Sequence, residues 1–178
     1  MKYNPEIHHR RSIRLKEYDY SSEGAYFVTI CAYKKEMYFN DRQSAEIIQQ
    51  GWNTLPDRYP TVRIDGFVIM PNHVHGIILI ASDAPNEVGA IHELPLRRDR
   101  KDRRLMTLSK VVGYFKMNTS KQINKILQRP GCPIWQRNYY EHVIRNEDEL
   151  TRVRQYIHDN PLNWETDEEN PNRRRGDS

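Results

Sequence analysis

Two histidines, His73 and His75, lie two residues apart in an apolar segment that spans residues 67–80. On a β-strand, residues i and i+2 project from the same face, so the two imidazoles would lie side by side while Val74 faces the opposite way. Neutral imidazole is the commonest metal-binding side chain. The pair therefore supplies half of a divalent-metal site, which other parts of the chain must complete.

A second group of chemically active residues occurs in the segment Tyr156-Ile-His-Asp-Asn-Pro161. Tyr156 and Asn160 are four residues apart and would share one face of a helix, which Pro161 predicts to end at Asn160. A tyrosine can serve as a covalent nucleophile, and a metal ion can polarise a phosphate oxygen. A free phenol has a pKa of about 10, and a nearby cation favours the phenolate. Together with the two imidazoles, these residues predict a phosphoryl-transfer site.

Seven segments have the hydrophobic pattern of a strand or a helix and would position these side chains. Their order is β-α-β-β-α-β-α, and the first six match the ferredoxin-like split arrangement with a four-stranded antiparallel sheet. The seventh is an added C-terminal helix that carries Tyr156. Residues 77–80 are apolar on both faces, which predicts a central strand in a sheet covered by helices on both sides. The predicted segments are strands 25–33, 62–70 and 73–80, helices 41–53 and 108–127, an extended segment 134–144 and a last helix 146–161.

The chain has 178 residues and a net charge of +4, which fits one α+β domain of ordinary size. We expect this domain to span residues 1–164, with a basic arm at 1–20, a long basic loop at 82–104, and a flexible charged tail at 165–178. Lysine and arginine cluster in the arm and at residues 97–104. Such clusters are typical of polyanion binders, although a solvated surface would have the same composition.

The two cysteines, Cys31 and Cys132, are far apart and form no metal or disulfide pattern. The N-terminal residues lack the apolar core of a signal peptide, and no apolar run reaches the roughly 18 residues that span a bilayer. These features predict a cytoplasmic protein.

Three motifs resemble those of the REP-associated tyrosine transposases, a branch of the single-tyrosine HUH transposase superfamily. They are Met70-Pro-Asn-His-Val-His75, Trp135-Gln-Arg-Asn-Tyr-Tyr-Glu-His-Val-Ile-Arg145 and Tyr156-Ile-His-Asp-Asn-Pro161, and the resemblance extends from about residue 10 to 163. It implies the ferredoxin-like fold and an enzyme that cuts and rejoins single-stranded DNA beside palindromic hairpins. In that chemistry a tyrosine forms a 5′-phosphotyrosine and releases a 3′-OH.

The resemblance also implies individual roles in this chain. His73, His75 and Asn160 would bind Mg²⁺ or Mn²⁺, with water and phosphate oxygens as the remaining ligands, and Tyr156 would be the nucleophile. The residues themselves are not the all-oxygen set that Mg²⁺ most favours. Aromatic faces and basic groups would contact single-stranded DNA. The candidates are Arg10, Arg11, Arg14, Trp135, Arg137, Tyr139 and Tyr140.

Several alternatives remain open. The chain could be a non-catalytic relative that binds hairpin DNA, or a metal-dependent nuclease in which water is the nucleophile. Tyr139 and Tyr140 are rival nucleophiles, and the protein could be a monomer or a weak dimer. We expect His142 to be structural and His158 to be solvent-exposed. Trp52 and Trp164 are expected to be core or docking residues rather than DNA contacts.

Overall fold

A computed structural model describes residues 23–81 and 107–173, so the basic arm, the 82–104 loop and the last five residues lie outside it. The strands are β1 (Gly24–Cys31), β2 (Val62–Ile69), β3 (His73–Ile80) and β4 (Tyr140–Ile144). The α-helices are α1 (Arg42–Asn53), α2 (Leu55–Arg58), α3 (Thr107–Ile126) and α4 (Glu147–Asp159). Short 3₁₀ helices occur at Tyr33–Lys35, Tyr38–Asn40 and Asn160–Thr166.

The four strands form one antiparallel sheet in the order β2-β3-β1-β4. Strands β1 and β3 are central, and their register places Thr29 opposite His75 and Cys31 opposite His73. This order and the alternation with helices are those of the ferredoxin-like arrangement. The predicted α+β fold class is confirmed.

Helices cover both faces of the sheet, as the apolar character of residues 77–80 predicts. Helices α1 and α3 pack on one face around a core that includes Trp52 and Phe115. Helix α4 covers the other face, where Leu150 and Ile157 pack with Phe27 and other sheet residues. His73 and His75 alternate with Val74 and therefore project toward the α4 side.

Gly76 allows α1 to approach the strand that carries the histidines. A β-carbon at this position would lie 2.4 Å from an atom of the Trp52 indole, which is too close for any side chain. The indole stacks on Phe67 with ring centroids 4.4 Å apart. The glycine thus lets a large aromatic residue pack directly against β3, next to His75.

Side chains cap the N-termini of helices α1 and α4. The Asp41 carboxylate accepts a hydrogen bond from the Ser44 amide, and the Asn146 side chain accepts one from the Glu149 amide. Helix α4 ends at Asp159, but Asn160 keeps helical backbone angles and begins the following 3₁₀ helix. The chain therefore continues in a tight turn past α4 instead of becoming extended before Pro161.

The extended segment predicted for residues 134–144 is a strand only from Tyr140 to Ile144. Before it, Trp135 forms a single antiparallel bridge with Ala32. Within the part of the chain that the structure describes, no helix is long and apolar enough to cross a membrane.

Candidate metal centre and nucleophile

The side chains of His73 and His75 lie together on β3, as their spacing predicts. Their Nε2 atoms are 2.9 Å apart and both residues are buried. Ligands about 2.1 Å from an ion, in neighbouring octahedral positions, are about 3.0 Å apart. The separation of the two nitrogens therefore suits two ligands of one metal ion.

Hydrogen bonds determine which nitrogen of His73 is free to bind a metal. The Asn72 amide nitrogen donates to the backbone carbonyls of Lys35 and Glu169, at 3.2 and 2.7 Å. Its Oδ1 atom is therefore the acceptor 2.8 Å from His73 Nδ1. In the neutral ring the proton is on Nδ1, which leaves a lone pair on Nε2 facing His75.

His75 is held from the neighbouring strand. Its Nδ1 atom lies 2.8 Å from the hydroxyl oxygen of Thr29, the residue opposite it on β1. Burial lowers the pKa of His73 to about 4, with a smaller effect from Lys35, and lowers the pKa of His75 to about 3, with a smaller effect from His73. Both rings are neutral at pH 7, which is the form that binds metal.

Asp167 provides a carboxylate beside the histidine pair. Its Oδ2 atom lies 3.9 Å from His73 Nε2, and one ligand atom from each of the three residues falls within a span of 4.8 Å. Two imidazole nitrogens and one carboxylate oxygen can hold a divalent metal ion. The sequence reasoning missed Asp167, which it placed in the charged tail at 165–178. The acidic run was visible, but nothing in the sequence indicated that it lies against β3.

Tyr156 lies beside the same histidines. Its ring centroid is 5.3 Å from that of His75 and 5.8 Å from that of Phe27, and 49% of the residue is exposed. The structure thus brings the predicted nucleophile against the predicted metal ligands while leaving it accessible to a substrate.

Asn160 connects the nucleophile to the buried part of the site. Its side chain lies near enough to the Tyr156 phenol to lower the pKa of that group. Its Oδ1 atom is buried with no hydrogen-bond partner among the described residues. A buried oxygen without a partner is costly, so this atom suits a bound cation or a donor from the substrate. Burial raises the pKa of Tyr156, with Asp167 adding to the increase, while the Asn160 side chain opposes it.

Residues 164–170, which we call the acidic strap, pack against the histidines. The Trp164 ring lies 6.1 Å from the His73 ring. Glu169 pairs with Lys35 at 3.2 Å, and its carbonyl accepts the Asn72 hydrogen bond described above. These contacts hold Asp167 at the metal centre.

The structure corrects the prediction that Trp135 contacts DNA. This residue is 5% exposed and packs against Phe39 and Phe115 at ring distances of 4.7 and 5.6 Å. Its indole nitrogen donates to the Thr119 hydroxyl. The aromatic side chain is satisfied within the core and is not available to stack on a base.

The other candidate DNA contacts differ in accessibility. Arg137 and Tyr140 are exposed, whereas Tyr139 is half-buried with its hydroxyl 3.3 Å from that of Ser109. Lys116 donates to the backbone carbonyls of residues 136–138 and so supports the segment that carries Arg137. Arg10, Arg11 and Arg14 lie outside the described residues.

Two other histidines, His142 and His158, lie outside the group formed by His73, His75 and Asp167. His142 Nε2 lies 2.7 Å from the Glu149 carboxylate and ties β4 to the start of α4, in agreement with a structural role. His158 is exposed and contacts the neighbouring Asp159.

Comparison with known proteins supports the resemblance inferred from the motifs. No protein-family model matches the chain. A Haemophilus influenzae protein described as uncharacterized is 41% identical over 175 residues, covering 94% of this chain and 96% of its own length. This chain belongs to the same family as that protein. A second Haemophilus influenzae protein, described as a candidate REP-associated tyrosine transposase, is 26% identical over 149 residues, which is 81% of this chain and 73% of that protein.

A solved structure shares the fold. It is that of a REP-associated tyrosine transposase bound to a REP hairpin, with a TM-score of 0.54 and 18% identity, covering 85% of this chain and 73% of that one. The predicted resemblance to REP-associated tyrosine transposases is confirmed.

Proposed function

We propose that this protein is a metal-dependent transposase that cuts and rejoins single-stranded DNA beside hairpins. The observation that carries the proposal is the position of Tyr156, whose half-exposed ring lies 5.3 Å from His75 in the His73–His75–Asp167 cluster. The relatives named as transposases support the DNA substrate, and the related structure bound to a REP hairpin supports hairpin recognition.

The ligands proposed for Mg²⁺ or Mn²⁺ are His73, His75 and Asn160, to which the structure adds Asp167. The residues fit such an ion because both imidazoles are neutral and the Asn160 oxygen is buried without a partner among the described residues. Carboxylate and amide oxygens suit these hard ions better than imidazoles alone. When bound, the ion would polarise a phosphate oxygen and favour the tyrosine phenolate.

The chain's own residues would carry the strand transfer. Tyr156 Oη attacks the phosphorus atom, which forms a phosphotyrosine bond and breaks the bond to the 3′ oxygen. The phenol loses its proton and the departing oxygen gains one, which yields a 5′-phosphotyrosine and a 3′-OH. The Asn160 side chain, whose proximity lowers the pKa of the phenol, would stabilise the negative charge on its oxygen. One phosphoester bond replaces another, so the 3′-OH can reverse the step and rejoin the strand.

Two exposed residues next to the site would contact the DNA. Tyr140 pairs with Thr29 at the site face of the sheet, and its ring lies 6.4 Å from that of Phe27. Arg137 is exposed in the segment that precedes β4. An aromatic ring and a guanidinium suit base stacking and phosphate binding, respectively. Arg10, Arg11 and Arg14 are proposed to add charge to the same interface.

The proposal is tested with Mn²⁺ and a hairpin-bearing single strand taken from the DNA flanking the gene, labelled at its 3′ end. A denaturing gel should show the label attached to the protein, because a 5′-phosphotyrosine retains the 3′ fragment. Tyr156→Phe should abolish the adduct, and EDTA should prevent it. Tyr33→Phe is the matched control, since this tyrosine is also exposed and is not among the residues proposed to bind metal or DNA, and it should still form the adduct.

The alternatives give different products in the same assay. A non-catalytic hairpin-binding protein would shift the DNA in a native gel but leave the strand intact. A nuclease that uses water would release a free 5′-phosphate end with no labelled protein. An adduct that persists in Tyr156→Phe would exclude this tyrosine as the nucleophile.

A further inference from the structure

A cleft of about 340 Å³ opens along the acidic strap. Its lining residues are Met37, Trp164, Glu165, Asn170 and Asn172. Because the Trp164 ring also lies 6.1 Å from His73, the cleft adjoins the place where the scissile phosphate would bind. Its volume is within the range of pockets that hold small organic groups.

Trp164 provides an accessible aromatic surface in this cleft. The chain has three tryptophans; Trp52 and Trp135 are 1% and 5% exposed, whereas Trp164 is partly exposed. Met37, which lines the same cleft, has a polarizable thioether that packs well against rings. Trp164 was expected to be a core or docking residue, and its packing against His73 agrees with docking, while its partly exposed ring also borders the cleft.

The charge of the cleft selects which part of a nucleic acid could enter it. Glu165 lines it, and Asp167 and Glu168 follow on the acidic strap. Carboxylates repel phosphate groups, so the DNA backbone is disfavoured here. A carboxylate does accept hydrogen bonds from the amino group of a base such as cytosine.

The wall of the cleft is held in place by hydrogen bonds within the strap. The buried Asn170 side chain donates to the Trp164 carbonyl at 2.8 Å and accepts from the Asn172 amide at 2.9 Å. Trp164 and Asn172 are therefore positioned before any ligand arrives, which lowers the entropic cost of binding.

From these observations we infer that the cleft binds one unpaired base of the DNA strand, next to the phosphate that Tyr156 attacks. The base stacks on Trp164 and presents an exocyclic amino group to Glu165. Adenine, cytosine and guanine are accepted, and thymine, which has no amino group, is disfavoured. This inference rests on the proposed function and adds to it a site that reads a base beside the cut.

Intrinsic fluorescence tests the site directly, because Trp164 is the accessible tryptophan and the two buried ones act as a constant background. The experiment uses the Tyr156→Phe protein in EDTA, so it requires no metal and no catalysis. The probes are DNA hairpins whose unpaired flanks are all adenine, all cytosine, all thymine or abasic. Adenine and cytosine flanks should quench the fluorescence and bind about tenfold more tightly than abasic flanks, as expected for one stacked base, and thymine flanks should be weaker.

Variants separate stacking from amino-group recognition. The affinity of each variant for labelled hairpins is measured by fluorescence anisotropy. Trp164→Ala should lose the preference for flanks with bases, and Trp164→Phe should keep most of it. Glu165→Gln should reduce the preference for adenine and cytosine over thymine. Leu162→Ala is the matched control, since Leu162 lies on the same 3₁₀ helix and is 83% exposed. It should behave as the parent protein does.

Equal affinity and equal quenching for abasic and base-containing flanks would overturn the inference. So would an unchanged preference in a Trp164→Ala protein that melts at the parent temperature. Either result would leave the covalent-adduct assay unaffected, because that assay depends on Tyr156 and metal. Conversely, base-dependent quenching without an adduct in the Tyr156-containing protein would refute the strand-transfer function alone.

Discussion

Arg154 on α4 forms a two-pronged ion pair with Asp65 on β2. Its Nη2 atom lies 2.6 Å from Asp65 Oδ2, and its Nε atom lies 3.1 and 3.2 Å from the two carboxylate oxygens. The contact occurs where the β2–β3 register shifts, between Ile64 and Phe67. It joins the sheet edge to α4 two residues before Tyr156, and the hydrogen bond from Arg154 holds the pKa of Asp65 below its usual range.

We predict that Asp65→Asn impairs strand transfer more than it impairs folding. The pair is partly exposed, with 47% of the Arg154 side chain and 22% of the Asp65 side chain accessible, and exposed pairs contribute about 1 kcal/mol or less to stability. Loss of the charge should nevertheless loosen the orientation of α4 and slow adduct formation several-fold while hairpin affinity is unchanged. Thermal melting and single-turnover adduct kinetics measure the two effects. The reversed pair, Asp65→Arg with Arg154→Asp, should recover part of the rate. If Asp65→Asn lost stability and adduct-formation rate in equal proportion, this role would be contradicted.

Asp167 is predicted to be a metal ligand as well as a strap residue. Asp167→Asn keeps the size of the side chain and its ability to accept the Glu169 amide hydrogen bond but removes its charge. We expect Mn²⁺ affinity, measured by calorimetry without DNA, to fall about tenfold or more, within the range reported for altered metal environments. Glu168→Gln, the neighbouring exposed residue, is the control and should bind Mn²⁺ as the parent does. Similar Mn²⁺ affinities for the parent, Asp167→Asn and Glu168→Gln proteins would show that Asp167 is not a metal ligand.

The buried histidines predict how stability depends on pH in the metal-free protein. Their folded-state pKa values, about 4 for His73 and about 3 for His75, lie below the ordinary value of 6.5. From pH 6.5 down to about 4 the unfolded chain therefore binds more protons, and the free energy of unfolding should decrease as the pH falls.

The slope of that decrease approaches about 1.4 kcal/mol per pH unit for each histidine. Urea unfolding at pH 7, 6 and 5 in EDTA would measure it. His75→Gln, which cannot be protonated, should reduce the slope relative to the parent. Equal slopes in the parent protein and in His75→Gln would contradict the buried neutral state.

Gly76 is predicted to be required for the packing of α1 on the histidine strand. In Gly76→Ala the new methyl group would overlap the Trp52 indole, since the β-carbon would lie 2.4 Å from it. Such overpacking costs about 1–3 kcal/mol, seen as a lower urea midpoint. Gly113→Ala is the matched control because a β-carbon there meets nothing within 4 Å. In the interior of α3 that change should stabilise the protein by about 0.5–1 kcal/mol. Equal effects at both glycines would contradict the steric argument.

Local periodicity was enough to predict the fold and part of the site. The two-residue period placed His73 and His75 on one strand face, and the four-residue spacing placed Tyr156 and Asn160 on one helix face. The element order predicted the ferredoxin-like sheet, and the helix starts predicted at residues 41 and 146 agree with α1 and α4, because a helix start depends on a few neighbouring residues.

Contacts between segments that are far apart in the chain could not be predicted from the sequence. Asp167 reaches His73 only because the 3₁₀ helix that begins at Asn160 returns the chain to β3. Asn72 sets the tautomer of His73 only because its amide nitrogen donates to the carbonyls of Lys35 and Glu169. Trp135 is of a residue type that often contacts DNA, but its ring packs against Phe39 and Phe115 in the core. Periodicity is a property of neighbouring residues, whereas these positions depend on long-range packing, so only the tertiary structure decided them.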